Sequence, residues 1–388
     1  MNYRKAKLSD IGKIVSGATP KTKDPDNYDG DIAWITPADL SKYNKKYISH
    51  GARSITQKGY DSCSTQLMPK GTVLFSSRAP IGYVAIAENA LCTNQGFKSI
   101  SPGNDIDSEF LYYQLKYLKK EIQEKGSGTT FKEISAKTLG EVFVAVPPLD
   151  EQSRIVARIE ELFSELDKAV DTLKTTKEQL EVYQQAVLKD EFSKVSQYAP
   201  LGNVATSRLG KMLDKQKNTG TPKKYLRNIN VRWFSFDLAD LQEMKIEETE
   251  FEKYTIKKDD LVICEGGEPG RCAVWEKNET IYFQKALHRV RFTVESEPRL
   301  YMYYIWFMTN TGALNKFYTG TGIKHLTGQS LEKVFVPVID IKTQQKLLAS
   351  IESRLSVCDS VEKIVDTALA QADALRQSIL KQAFEGKI

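Results

Sequence analysis

The chain has 388 residues, a length that suggests two to four domains. Its formal net charge is +5, and 41% apolar with 27% charged side chains are typical of a globular protein. No apolar run approaches the roughly 20 residues of a membrane span, and the N-terminus lacks the apolar stretch of a secretory signal. The five cysteines lack metal-ligand spacing, which indicates reduced cysteines in a cytoplasmic protein.

Residues 1–149 are predicted to form a first α+β domain. Short β-branched and aromatic runs such as "VLFSS", "GYVAIA" and "VFVAV" predict strands, and residues 108–126 predict a helix. Cations lie among Tyr, Asn, Ser and Thr between residues 16 and 59, and one arginine follows a predicted strand. The predicted DNA contacts of this domain are Lys21, Lys23, Lys45, Lys46, Arg53 and Arg78.

Residues 150–195 contain neither Gly nor Pro through Phe192 and predict one long helix. Its apolar residues recur at alternating spacings of four and three, which is the pattern of a coiled-coil seam. The predicted seam residues are Ile155, Ile159, Leu162, Leu166, Leu173, Leu180 and Val187.

Residues 196–341 predict a second α+β domain with strands at "LVICE", "YFQKALHRVRF" and "VFVPV". Within residues 207–234 eight cations accompany a single acid, Asp214, with Asn, Gln, Thr and aromatic residues between them. Lys and Arg neutralise phosphates, and Arg, Asn and Gln can read base edges in the major groove. The predicted contacts are Arg208, Lys211, Lys215, Lys217, Lys223, Lys224, Tyr225, Arg227 and Arg232.

Residues 342–388 predict a second long helix, with a seam at Leu347, Ile351, Val361, Val365, Leu375 and Ile379. The chain therefore repeats domain, helix, domain, helix. Aligning residues 128–155 with 320–347 without gaps gives 9 identities in 28 positions, and residues 71–86 resemble 259–274. Pairing the two helices with each other predicts an intramolecular antiparallel coiled coil and a pseudo-two-fold tandem repeat, with the domains separated by the helices.

Sequence signatures of catalysis are missing from the chain. It contains neither a GxxxxGK[ST] phosphate-binding loop nor a GxGxxG motif between a strand and a helix, and its three histidines lack metal-ligand spacing. The sequence therefore predicts a non-catalytic binding protein without a cofactor or metal of its own.

This organisation resembles the specificity (S, HsdS) subunits of type I restriction-modification systems. The resemblance rests on the tandem plan, on "VFVAVPPLDEQSRIVARIEEL" and its echo "VFVPVIDIKTQQKLLASIESRL", on "GTVLFSSRAPIGYVAI" and on the closing "SILKQAFEGKI". The second junction departs from the pattern, since Ile-Asp-Ile replaces Pro-Pro-Leu and Gln344 lacks a preceding Glu.

The resemblance implies two target-recognition domains that each read half of a bipartite double-stranded DNA target through the major groove. It also implies helices that act as a spacer and dock two methyltransferase (M) subunits, with restriction (R) subunits in the full complex. S-adenosylmethionine, ATP and Mg are then expected on the partner subunits. Three alternatives remain open from the residues: a standalone DNA-binding or regulatory coiled-coil protein, a scaffold that binds no nucleic acid, and a fused nuclease.

Overall fold

A computed structural model describes residues 3–128, 132–214 and 218–387. Its α-helices are, in chain order, α1 (Leu8–Ile11), α2 (Gln57–Asp61), α3 (Ser108–Glu124), α4 (Ala136–Gly140), α5 (Leu149–Ser193), α6 (Pro298–Asn310), α7 (Gly328–Glu332) and α8 (Ile341–Phe384).

The strands are short, and the first ten precede α5. They are β1 (Arg4–Lys7), β2 (Gly12–Ser16), β3 (Tyr28–Ile35), β4 (Tyr47–Ile48), β5 (Arg53–Ile55), β6 (Val73–Phe75), β7 (Val84–Ala87), β8 (Cys92–Thr93), β9 (Lys98–Pro102) and β10 (Phe143–Val146).

Twelve further strands lie between α5 and α8 in the described part of the chain. They are β11 (Tyr198–Pro200), β12 (Ala205–Leu209), β13 (Thr221–Leu226), β14 (Val231–Arg232), β15 (Ser235–Phe236), β16 (Gln242–Ile246), β17 (Thr255–Ile256), β18 (Leu261–Cys264), β19 (Cys272–Val274), β20 (Ile281–Phe283), β21 (Leu287–Phe292) and β22 (Phe335–Pro337).

The chain divides into two compact units, one formed by residues up to 173 together with 367 onward, the other by residues 174–366. In the first unit the sheets have the strand orders β2-β9-β6-β7-β4 and β5-β3-β8, and β1 pairs with β10. In the second unit the orders are β12-β21-β18-β19 and β16-β13-β20-β17, and β11 pairs with β22. Each unit therefore contains two mainly antiparallel sheets and a separate strand pair, and the second unit adds the pair β14-β15.

Equivalent residues make equivalent contacts in the two units. The backbone N–H of Ile134 donates to Ser77 O at 3.0 Å, and that of Leu326 donates to Glu265 O at 2.7 Å. The short helices α4 and α7 are capped alike, since the hydroxyls of Ser135 and Thr327 each accept a bond from a backbone N–H three residues later. The tandem repeat that the sequence predicts is therefore present in the contacts.

A buried glutamine fixes the start of each long helix. Gln152 accepts a bond from the N–H of Asp107 at 2.8 Å and donates to the carbonyls of Asp105 and Pro147 at 2.9 and 2.8 Å. Gln152 and its counterpart Gln344 are almost completely buried, at 0% and 2% exposure. The identity of Gln152 and Gln344 in the aligned sequences thus has a structural cause.

Gln344 repeats the arrangement in the second unit. It accepts from the N–H of Glu297 and donates to the carbonyl of Ile339, both at 2.9 Å. The second junction therefore keeps its glutamine contacts although Ile-Asp-Ile replaces Pro-Pro-Leu.

The long helices pair antiparallel within each unit. In the first unit Arg376 bonds to Asp167, and Ile159 shares a core with Leu380 and Ala383. In the second unit Lys177 lies 2.8 Å from Asp366 and 3.4 Å from Glu362, and Glu191 accepts bonds from Ser350 and Arg354 at 2.8 and 2.9 Å. The residue numbers of the contacting α8 residues decrease as those of the α5 residues increase, which is the order of an antiparallel pair. The predicted coiled coil and α+β fold class are therefore confirmed.

The predicted seam residues of α5 and α8 differ in how deeply they are buried. Ile155, Ile159 and Val187 are buried, and Leu162, Leu166, Leu173 and Leu180 are half-buried, as expected for a seam shared by only two helices. In α8 the positions Leu347, Ile351, Val365 and Ile379 are buried, and Val361 is half-buried.

Leu375 is 48% exposed and lines an apolar groove together with Leu166 and Leu173 of α5, while its neighbour Arg376 pairs with Asp167.

The sequence also predicts functional boundaries between the domains and the long helices, at 149/150, 195/196 and 341/342. Helices α5 and α8 begin at Leu149 and Ile341, next to two of these divisions. Because both long helices run through the two compact units, the division into recognition domains and spacers stays a prediction.

Candidate nucleic-acid interface

Exposed cations lie on the loops of the first unit. Lys21 and Lys23 lie in the turn that precedes the short helix Pro25–Asn27, and both are exposed. Lys45 is exposed in the segment that leads to β4. No carboxylate in the described residues forms an ion pair with these three lysines, so their ammonium groups are available to an anionic ligand.

Arg53 and Arg78 are half-exposed and partly neutralised. The Arg53 guanidinium stacks 4.0 Å from the ring centroid of Tyr28 and lies 3.6 Å from Asp29. Arg78 lies 3.4 Å from Glu133, in the loop that follows β6. Exposed ion pairs are weak, so both arginines can still exchange their carboxylate for a phosphate.

Lys46 occupies a different environment from its neighbour Lys45. Its ammonium group lies 2.9 Å from Glu109 and bonds to Glu160, and only 20% of its side chain is exposed. These carboxylates belong to α3 and α5, so Lys46 ties the β4 segment to two helices. We therefore correct its prediction as a DNA contact and assign it a structural role.

In the second unit Arg208 and Lys224 are exposed on strands. Arg208 lies on β12, opposite Arg289 of β21, and Lys224 lies on β13, opposite Glu243. Lys223 is half-buried, with its ammonium group 4.9 Å from the ring centroid of Phe251. Arg208 and Lys224 have no ion pair within the described ranges, so their charges are available to an anionic ligand.

Two predicted contacts of the second unit are buried. Lys211 is 7% exposed and bonds to Glu247, at 2.7 Å, and to Glu250. Tyr225 is 2% exposed and packs with Met244 and Ile246. We correct both predictions, because neither side chain presents its polar atoms to a ligand.

Arg227 and Arg232 have acidic partners from a neighbouring segment. Arg227 lies 2.6 Å from Asp240, and Arg232 lies 3.7 Å from Asp237. The basic stretch contains only one acid in sequence, but the fold brings four more carboxylates to it, those of Asp237, Asp240, Glu247 and Glu250. Lys215 and Lys217 lie outside the described residues.

Two polar residues that the sequence did not indicate as contacts meet at the loop between β18 and β19. Arg271 belongs to this loop, and Asn228 lies between β13 and β14. Asn228 donates to Gly266 O and accepts a bond from Arg271 at 2.7 Å, which orders a loop whose Gly267 has a φ of +75°. This loop is the counterpart of the one that carries Arg78. The alignment of residues 71–86 with 259–274 was the signal that could have located it.

Side chains that could hold a metal ion are not assembled in the part of the chain that the structure describes. There, His, Cys, Asp and Glu form no cluster of three or more that could hold a metal ion. His288 is buried, its ring lies 2.8 Å from the carbonyl of Leu326, and burial lowers its pKa. Among the same residues, no helix combines the length and apolarity of a membrane span.

Comparison with known protein families identifies the two units. The family described as "Type I restriction modification DNA specificity domain" matches the chain twice, over residues 2–182 and 200–363. The chain belongs to this type I DNA specificity family. Each match ends within a long helix, so the family's unit includes a domain and part of the helix that follows it.

Curated members of the DNA specificity family match at moderate to low identity. The MjaIX specificity subunit of Methanocaldococcus jannaschii is 43% identical over 188 residues, which are 48% of this chain and 43% of that protein. The EcoBI specificity subunit of Escherichia coli is 22% identical over 418 residues, covering 100% of this chain and 86% of that protein. The chain thus matches less than half the length of the first relative and most of the second.

Solved structures of the specificity family share the fold. A chain from a study of complex assembly and conformational transition of the type I R-M system superposes with a TM-score of 0.79 at 16% identity, covering 100% of this chain and 98% of that one. The HsdS subunit from Thermoanaerobacter tengcongensis gives a TM-score of 0.58 at 17% identity, with 100% and 97% covered. These similarities extend over the whole chain.

Proposed function

We propose that this chain is the non-catalytic specificity subunit of a cytoplasmic type I restriction-modification complex. In this role it reads a bipartite double-stranded DNA target, with one half-site for each recognition domain. The observation that carries the proposal is the tandem repeat itself, in which Gln152 and Gln344 make equivalent contacts while the exposed cations of the two domains differ. Repeated scaffolds with unlike binding loops suit two different half-sites.

The proposed contacts are the predicted basic residues that remain after the structural corrections. Lys and Arg neutralise phosphates and position a protein on the duplex, whereas paired hydrogen bonds to base edges provide sequence discrimination. The set is Lys21, Lys23, Lys45, Arg53, Arg78, Arg208, Lys215, Lys217, Lys223, Lys224, Arg227 and Arg232. Asn228, which lies between β13 and β14, and Arg271 of the β18–β19 loop join it.

We further propose that the long helices dock two M subunits, with R subunits completing the assembly. Apolar side chains on these helices remain exposed, including Val182 at 71%, Val357 at 62% and Ile364 at 67%. Exposed apolar side chains on helices otherwise rich in charge are suited to protein partners. S-adenosylmethionine, ATP and Mg then belong to the partner subunits.

Methylation mapping tests the proposal. The full chain is co-expressed with its cognate M subunit, and methylated adenines are mapped across the host genome. A split motif with an unspecified gap of fixed length supports the proposal. A single contiguous motif, or methylation that persists when this chain is omitted, contradicts it.

A further inference from the structure

A pocket of the first unit is lined by lysines and tyrosines. It has a volume of about 210 Å³ and lies between the segment around Lys45, the turn at Gly82, α3 and the last part of α8. Its polar lining includes Lys45, Lys116, Lys119, Tyr83 and Tyr112, and contains no carboxylate. The space is sufficient for a phosphate group with several water molecules.

Lys116 is the most enclosed cation of this basic pocket. Its ammonium group donates to Tyr112 Oη at 3.2 Å and lies 4.9 Å from the centroid of the same ring. Burial lowers the pKa of Lys116, and the nearby Arg376 lowers it further. Among the described residues no carboxylate forms an ion pair with Lys116.

Three carboxylates of α3 and α5 are paired with other cations. Glu109 and Glu160 pair with Lys46, and Asp167 pairs with Arg376. Within the described ranges, the charge of Lys116 therefore has no carboxylate partner. A half-buried ammonium group in this situation is costly unless an external anion completes its environment.

Lys119 is positioned by a glycine. Gly82 has a φ of +101°, and a Cβ at that position would lie 2.7 Å from Cγ of Lys119. Only glycine combines this backbone conformation with room for the lysine stem. Gly82 therefore lets Lys119 lie along the turn, one helical turn from Lys116 on the same face of α3.

We propose that this basic pocket binds a phosphate group, supplied by the backbone of the duplex beside the half-site that the first domain reads. The proposal rests on the DNA-binding function proposed above. The phosphate of a free nucleotide has the same chemistry, so the experiment separates the two sources.

The main experiment compares two double variants of the full chain in complex with its M subunit. Lys116→Gln with Lys119→Gln removes two pocket cations, whereas Lys120→Gln with Lys125→Gln removes the same charge from exposed positions outside the pocket. Affinity for a duplex is measured across a range of salt concentrations. Each phosphate contact contributes about 0.9 to the slope of log K against log salt.

We expect the pocket variant to have a slope shallower by about 1 and an affinity about 3- to 10-fold lower, on specific and non-specific duplexes alike, relative to the control variant. The conservative variant Lys116→Arg with Lys119→Arg is expected to keep the slope. Lys119→Gln alone changes an exposed position, so it tests the effect on the salt slope without disturbing the half-buried Lys116.

A second measurement titrates inorganic pyrophosphate into the DNA-free complex by calorimetry. Binding that the pocket variant loses indicates a free phosphate source, and a changed salt slope without pyrophosphate binding indicates the DNA backbone. The inference is overturned if the pocket variant and the control variant have equal salt slopes and pyrophosphate does not bind. It is also overturned if the pocket variant weakens M-subunit binding while its salt slope is unchanged. A wild-type complex that binds no DNA contradicts the proposed function instead.

Discussion

Lys211 and Lys224 belong to the same basic stretch of sequence but end in opposite environments. Lys224 is exposed on β13, whereas Lys211 is buried against Glu247 and Glu250. Residue type and local charge predicted that this region is basic. They could not predict which cations remain available, because the acids that neutralise them come from segments up to 39 residues away. Availability is a property of the tertiary contacts.

The Lys211 cluster predicts a pH dependence of stability. The hydrogen bond from Lys211, followed by those from Thr219, holds the pKa of Glu247 well below its usual value of 4.5. A carboxylate with a lowered folded-state pKa contributes stability that is present above 4.5 and lost as the pH falls towards the folded-state value. We expect Lys211→Met to lower the urea midpoint at pH 7, and the difference from wild type to narrow below pH 4.5. A difference that widens in acid would contradict this assignment.

The junction glutamine gives a second prediction at this scale. Gln344→Ala leaves the partly buried N–H of Glu297 and carbonyl of Ile339 without their partner. Because unsatisfied buried groups cost about 1–3 kcal/mol each, we expect a loss of about 2–4 kcal/mol in the free energy of unfolding. The control is Gln345→Ala, an exposed neighbour with one bond to Glu297. Urea denaturation should separate the two variants, and equal midpoints would remove the structural explanation for the repeated glutamine.

At the scale of elements, the long helices were the most predictable part of the fold. Spacing of four and three over some forty residues, interrupted by Thr176 in the first helix and Arg354 in the second, leaves few alternatives to a paired helix. The exposure of individual α8 residues was less predictable, because Arg376 pairs with Asp167 while its neighbour Leu375 stays 48% exposed. Likewise, the runs "VLFSS" and "LVICE" predicted strands, but the order of strands in each sheet depends on pairings distant in sequence.

Two seam residues of α8 differ in exposure, which predicts different losses of stability when each is truncated. Ile379 is 8% exposed and Leu375 is 48% exposed. We expect Ile379→Ala to cost about 2–4 kcal/mol, as for other truncations of buried residues. Leu375→Ala should change stability by about 0.5 kcal/mol or less. If Leu375 contributes to the proposed docking of M subunits, the same variant should weaken that association, measured by co-purification.

Thermal unfolding of the two α8 variants provides the check on register. A larger loss of thermal stability for Leu375→Ala than for Ile379→Ala would mean that exposure does not determine the contribution of these two seam residues. An unaltered M-subunit association in Leu375→Ala would exclude this position from the docking surface without affecting the seam.

For the whole molecule, helix length should determine the unspecified gap in the DNA target. A heptad adds two helical turns, about 10.5 Å at 1.5 Å per residue, and preserves the seam. This length corresponds to about three base pairs at 3.4 Å each. Lys177 of α5 bonds to Asp366 of α8, so matched heptads inserted next to these residues would lengthen both helices while keeping their pairing.

We expect the lengthened protein to lose methylation at the original spacing, and any methylation that persists to show a gap longer by about three base pairs with unchanged half-sites. Replacing the exposed residues of one heptad without changing its length is the control and should leave the gap unaltered. The measurement is the methylome of cells that express each variant with the M subunit. A change in the half-site sequences would mean that the helices contribute to base recognition, and an unchanged gap would mean that the spacing is determined elsewhere.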